Sequence, residues 1–329
     1  MTRRQFLQST TAAALASSAV ALRLAGAATD DTPRYRLTMG QWTFHRAFRG
    51  EPGFTKRDTL EFPSMAGELG FEGVDYSGLL LGEHHKNPGS LAELNRRAAD
   101  AGVQNVLILV DLYDPLGAPT EAGRRKSAEK FRPWLEAAAT LRCSGIRVNA
   151  RSDLKLPVDE QTRLVADGMA RLVELSGPLN LDVLIENHGE GNYCDGTWIA
   201  SIVKQVGNSR CGTLPDFGNF QKNRASAEFH DRYAGVAAML PYAKCVCAKA
   251  HDFDARGDEC YTDYARMLRL VADSGYRGWI EVEYEGPGGS PRTPPPARPA
   301  IPPLGEREGA LATKRLLQKH LGAALHTKP

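Results

Sequence analysis

Eight apolar, strand-like runs recur along this chain, each closing on polar residues, and that recurrence limits its fold more than any other feature. The runs are YRLTMGQW (35–42), FEGVDYS (71–77), NVLILVD (105–111), SGIRVNA (144–150), DVLIENHG (182–189), CGTLPDFGN (211–219), KCVCAKAHD (244–252) and WIEVEYEG (279–286). Their closing polar residues are Gln41, Asp75, Asp111, Asn149, Glu186, Asp216, His251 and Glu283, at successive intervals of 30 to 38 residues. A strand, a crossover helix and two connections need about that much chain before the next parallel strand. Eight such units in series predict an α/β fold, a (β/α)8 barrel spanning 35–325. Helix-like segments at 90–102, 130–143 and 261–275 fill gaps between runs, with Gly102 and Gly275 where C-terminal caps belong. The stretch 286–303 is rich in Pro and reads as a stiff loop after the eighth strand, and an amphipathic helix at 306–324 closes the ring. With 42% hydrophobic and 24% charged residues, wholesale disorder is excluded.

The first 27 residues, MTRRQFLQSTTAAALASSAVALRLAGA, carry Arg3, Arg4 and Arg23 and no acid. A mildly apolar run from Thr11 to Leu22 follows the paired arginines, and Ala25-Gly26-Ala27 offers small residues for cleavage. The segment resembles a twin-arginine export signal, too short to span a bilayer, and implies a periplasmic or otherwise exported protein after a linker at 28–34. Without it, 38 basic residues face 39 acidic ones, so the remainder is close to neutral. Such a surface has no global field for recruiting nucleic acid or anionic lipid, and no other stretch is apolar enough for a membrane span. The six cysteines form no CxxC pair, which argues against a zinc ribbon or a thioredoxin-type site. Several lie in strand-like runs, where buried free thiols are expected.

In a barrel of parallel strands the carboxyl ends converge on one face, and that face carries the chemistry. Four consecutive runs close on potential metal ligands: Glu186, Asp216, His251 and Glu283. Adjacent strand ends stand roughly 5 Å apart, so the four could share one cation. Three carboxylates and an imidazole favour Mn2+, Mg2+ or Co2+, with Zn2+ also admissible. Glu281, Glu283 and Glu285 alternate, so spacing alone does not choose among them.

The chain resembles the xylose-isomerase-like TIM barrels, specifically the sugar phosphate isomerase/epimerase proteins. The resemblance rests on GQWTFHRAF (40–48), ILVDLYD (108–114), VLIENHG (183–189), TLPDFGNF (213–220), AKAHDFD (248–254) and GYRGWIEVEYEG (275–286). Counting from the GYRG turn, it selects Glu283 as the last ligand. Members often carry an HxH pair on strand seven, where this chain has Cys245 and Cys247. The fourth ligand therefore stays open between His251, Cys247 and water. The resemblance implies metal-dependent proton transfer on a sugar through an enediolate, with Glu186 and Glu283 as base and acid on opposite faces. Lys249 and His188 would polarise the carbonyl or shuttle protons, and Gln41, Trp42, His45, Arg147 and Asn149 would line the sugar pocket. The same proton abstraction permits β-elimination, which makes an exported 3-keto-glycoside lyase the alternative activity. A non-catalytic sugar-binding barrel is a further one, whereas the nuclease branch would need a basic face that the charge balance denies. The partner is a small carbohydrate, unphosphorylated if the protein is exported. The Pro-rich loop could cover the site or join subunits of a homo-oligomer.

Overall fold

The computed structural model describes residues 34–112, 114–223, 228–287 and 300–325. The export-type leader, nearly all of the linker after it, and most of the Pro-rich stretch lie outside the described residues. Every apolar run supplies one parallel strand: β1 Tyr35–Gly40, β2 Gly73–Ser77, β3 Gln104–Leu109, β4 Gly145–Asn149, β5 Asp182–Glu186, β6 Cys211–Leu214, β7 Cys245–Ala250 and β8 Gly278–Tyr284. They pair in the order β6-β5-β4-β3-β2-β1-β8-β7.

The last seam, β6 to β7, closes through isolated bridges, Thr213 to Ala243 and Asp216 to Cys247. The Cys247 N–H donates to Pro215 O at 2.9 Å, and the Phe217 N–H donates to Cys247 O at 3.1 Å. Pro215 has no N–H to give, so no continuous ladder can form there. The result is a nearly closed (β/α)8 barrel.

Period-two alternation divides the strand side chains. Leu107, Leu109, Leu184, Leu214, Cys245 and Cys247 form a small apolar cluster of their own, joined by Val106 where the β2–β3 register shifts. Their neighbours Ile108, Ile146, Val148, Val183, Ile185, Val246, Ile280 and Val282 belong to the large core with the surrounding helices. Those helices are α1 Phe62–Glu68, α2 Pro88–Ala101, α3 Glu121–Glu129, α4 Arg132–Thr140, α5 Val158–Ser176, α6 Gly196–Val206, α7 Arg232–Met239, α8 Tyr264–Asp273 and α9 Glu306–Leu321. Asn87, Thr120, Asp195, Asp231 and Asp263 each accept a backbone N–H at a helix start. Gly102 caps α2 with φ 62°. The helix expected at 130–143 runs only from Arg132 to Thr140, because Leu141 and the left-handed Arg142 end it before Cys143. All six cysteines are free and buried. No helix among the described residues is long and apolar enough to cross a membrane.

Candidate active site

The strand ends bring together two ion-paired clusters. In the first, Arg147 on β4 stands between Asp111 and Glu186. Its Nη1 donates to Asp111 Oδ1 at 2.6 Å, and its Nε lies 2.7 Å from Glu186 Oε2, close but poorly angled for a hydrogen bond. Asn149 Nδ2 also donates to Asp111 Oδ1 at 3.0 Å, and Asn219 Nδ2 donates to Glu186 Oε1 at 3.0 Å. Parallel register explains the grouping, since Asn149 pairs directly with Glu186 across β4 and β5.

In the second, Lys249 on β7 gathers three carboxylates. Its Nζ lies 2.8 Å from Glu283 Oε1, 3.0 Å from Glu285 Oε2 and 3.5 Å from Asp216 Oδ2. Lys249 and Glu283 are register partners. Asp216 is fixed by its own turn: Oδ1 accepts the N–H groups of Gly218 and Asn219 at 2.7 and 2.8 Å. Asn187 locks that turn to β5, accepting from Asp216 N and donating to the carbonyls of Asp216 and Asn219.

The inner members of both clusters are nearly sealed from solvent, with Glu186 2%, Asp216 0%, Glu283 4% and Lys249 5% exposed, while Asp111 and Glu285 reach partly into the open. Burial raises Glu186 to about 8 against the pull of Arg147. It raises Glu283 as well, against the pull of Lys249. Burial would raise Asp111 too, but Arg147 holds it at about 2. Likewise Lys249 and His251 outweigh burial at Glu285 and hold that carboxyl well below its usual range. His188 is lowered to about 4 by burial and by Arg147, so its imidazole is neutral at ordinary pH, and its Nδ1 has no hydrogen-bond partner among the described residues.

Asp75 and Glu281 are also fully buried, Asp75 beside Thr38 and the Leu107 backbone, and the Glu281 carboxyl has no hydrogen-bond partner among the described residues. Gly40 makes room for the latter, since a Cβ there would fall 2.3 Å from Glu281 Oε1.

Of the four expected ligands, Asp216 and Glu283 come together, and their companion is Cys247. One donor atom from each of these three lies within 4.8 Å of the others, a group that could hold a metal ion. Glu186 is instead engaged by Arg147. His251 is anchored away from the trio, with its Nδ1 3.2 Å from Gly286 O and its N–H donating to Glu259. As a metal site the trio passes on separation, but the Lys249 ammonium already contacts two of its members, so an ion there would have a cation beside it. The residues as placed do not fit an ion gripped by three carboxylates and an imidazole.

Among the expected pocket residues, Gln41 spends both ends of its amide inside the fold, accepting from Ser77 N and donating to Thr59 Oγ1. Trp42 stacks on His45 at 4.9 Å, and Arg49 lies over its ring at 4.6 Å. Arg147 and Asn149 are committed to Asp111. Sequence reasoning left out Asn187, Asn219 and the acceptor role of Asp111. Asp111 closes a run and Asn219 belongs to the PDFGN turn, so both positions were visible, but their partners were not.

No curated protein sequence matches the chain. Solved structures do. A D-psicose 3-epimerase in the presence of D-fructose superposes with TM-score 0.63 at 11% identity, covering 87% of this chain and 99% of the other. The IOLI protein with a bound zinc atom gives 0.62 at 13%, covering 87% and 99%. A sugar phosphate isomerase/epimerase from Parabacteroides distasonis gives 0.60 at 12%, covering 90% and 97%. At such identities the likeness shows a shared fold. The sequence itself matches a family model over residues 64–306, most of its length. Strand order, seam and model agree, and the chain belongs to the xylose isomerase-like TIM barrel family.

Proposed function

We propose that the barrel mouth is the active site of a sugar epimerase or isomerase that moves a proton at the carbon beside a carbonyl. The observation behind this reading is a pair of buried carboxyls, Glu186 and Glu283, each held against its own fixed cation and each raised above its ordinary value by burial, Glu186 to about 8. One carboxylate removes the proton, and the electron pair moves onto the carbonyl oxygen as an enediolate. The other carboxyl returns a proton to the opposite face, so the reaction is redox-neutral. A carboxyl whose pKa lies near the working pH suits both halves of that exchange. The solved relatives named above include a D-psicose 3-epimerase, which supports a ketose as substrate class. In this reading Lys249 and Arg147, which contact the donors a divalent ion would use, supply positive charge to the site. The leader at 1–27 supports export, and hence an unphosphorylated sugar.

The test is incubation with free ketoses in D2O, followed by NMR. A new epimer carrying deuterium at the inverted carbon is expected. Glu186→Gln and Glu283→Gln should each lose about 10²–10⁴-fold in turnover with an unchanged circular dichroism spectrum. Near-normal activity in either variant would overturn the assignment. Release of aglycone from 3-keto-glycosides, without any epimer, would redirect the same proton abstraction to elimination.

A further inference from the structure

We propose that the Lys249 ammonium is the cation of this site, standing among the carboxylates where a divalent ion would otherwise bind. The lysine is built in. Its side chain is 5% exposed and reaches three carboxylates from Asp216, Glu283 and Glu285. Its stem lies against Gly218 in the turn after Asp216. A Cβ at that glycine would meet Lys249 Cδ at 2.9 Å and Cγ at 3.1 Å, so the turn leaves space for the lysine. Its backbone is pinned from outside the barrel by Tyr264, whose hydroxyl donates to Lys249 O at 2.8 Å.

The ammonium competes with any second cation for this place. A divalent ion bridging Asp216 and Glu283 would lie within a few ångströms of the ammonium, where like charges in a water-poor interior repel strongly. Neither of the other expected donors joins the trio: Glu186 stands against Arg147, and His251 sets its Nδ1 against the Gly286 carbonyl. The chain thus carries in a side chain the positive charge that an ion would supply. In the proposed reaction, on which only this catalytic role rests, the ammonium donates a hydrogen bond to the enediolate oxygen as charge develops there.

The test separates the cation from the reaction. Purified full-length protein is dialysed against Co2+, freed of excess, and read by elemental analysis and by the cobalt–thiolate absorption that a Cys247 ligand would give. Wild type is expected to keep well under one ion per chain and to show no thiolate band. Lys249→Ala is expected to take up one Co2+ with the band, and Lys249→Ala with Cys247→Ala to lose the band. One tightly held ion in wild type would overturn the proposal whatever the variants do, as would a folded Lys249→Ala that gains none. Lys249→Arg, which keeps a cation, should stay metal-free and folded. A wild type free of metal but inactive on every sugar leaves the cation assignment standing and counts against the proposed reaction alone.

Discussion

Arg147 is the residue on which the mouth of the barrel turns. It is almost fully buried, it neutralises Asp111, and it offsets the burial of Glu186. Replacing one member of such a buried ionic group leaves the others unpaired, which costs about 3–5 kcal/mol. Arg147→Met should therefore lower the unfolding free energy by that order, measured in urea. A fall below 1 kcal/mol would mean that the carboxylates find other partners. The same arginine tunes reactivity. If Glu186 must be ionised to act as base, kcat/KM should rise with pH through a limb near 8. Arg147→Met removes the attraction that opposes burial, so the limb should move to higher pH. A limb that stays in place would dissociate Glu186 from it. The spacing of strand ends was enough to single out Glu186 and Asp216, because a repeat of one βα unit is a sequence property, whereas Glu283 was separated from Glu281 and Glu285 only by the resemblance carried in the GYRG turn. The pairing of Arg147 with Glu186 was not legible, since it depends on which of several inward groups lean together. His251 has inward parity as well, but it follows the end of β7, and the Gly286 carbonyl that binds it comes from a separate loop.

At the scale of elements, the strands were readable nearly residue by residue, because alternation of apolar and polar positions is local. The seam between β6 and β7 was less so: Pro215 removes a donor, but only the closed ring shows that two bridges suffice around it. Helix contacts were illegible, since they depend on small residues whose neighbours lie far along the chain. Helices α6 and α7 illustrate this. Gly196 opens α6 against Gly235 of α7, so closely that a Cβ on Gly196 would lie 2.4 Å from Gly235 O. Backbone cannot yield as a flexible side chain can. Gly196→Ala should cost about 1–3 kcal/mol through overpacking, visible as a lowered Tm. Gly177→Ala, at a glycine with open space around it, is the control and should be close to neutral. Equal effects at the two positions would show that the contact does not matter.

At the scale of the whole molecule, the barrel encloses more acid than its cations neutralise, and that imbalance shapes its stability against pH. Burial raises Asp75 to about 8, Glu186 to about 8 and Glu259 to about 7. In the unfolded chain these groups titrate near 4. Between roughly pH 4 and 8 the native state thus holds protons that the unfolded state has released, and stability must fall as pH rises. Asp111 and Glu285 act in the opposite sense. Both stay ionised in the fold below the pH at which they protonate in the unfolded chain, so stability also falls as the medium becomes more acidic than about pH 4. The maximum should then lie on the acid side of neutrality, near pH 4–5. Asp75 is the cleanest lever, being fully buried, with burial the main cause of its raised pKa and only Thr38 and the Leu107 backbone opposing it. Asp75→Asn keeps its shape and removes its titration. Each proton difference is worth about 1.4 kcal/mol per pH unit, so between pH 5 and 8 the variant's unfolding free energy should decline less steeply than wild type by up to that slope. Urea unfolding at four pH values measures it, and parallel curves would mean that Asp75 is ionised within the fold and that the barrel axis carries a charge the neighbouring strands somehow solvate.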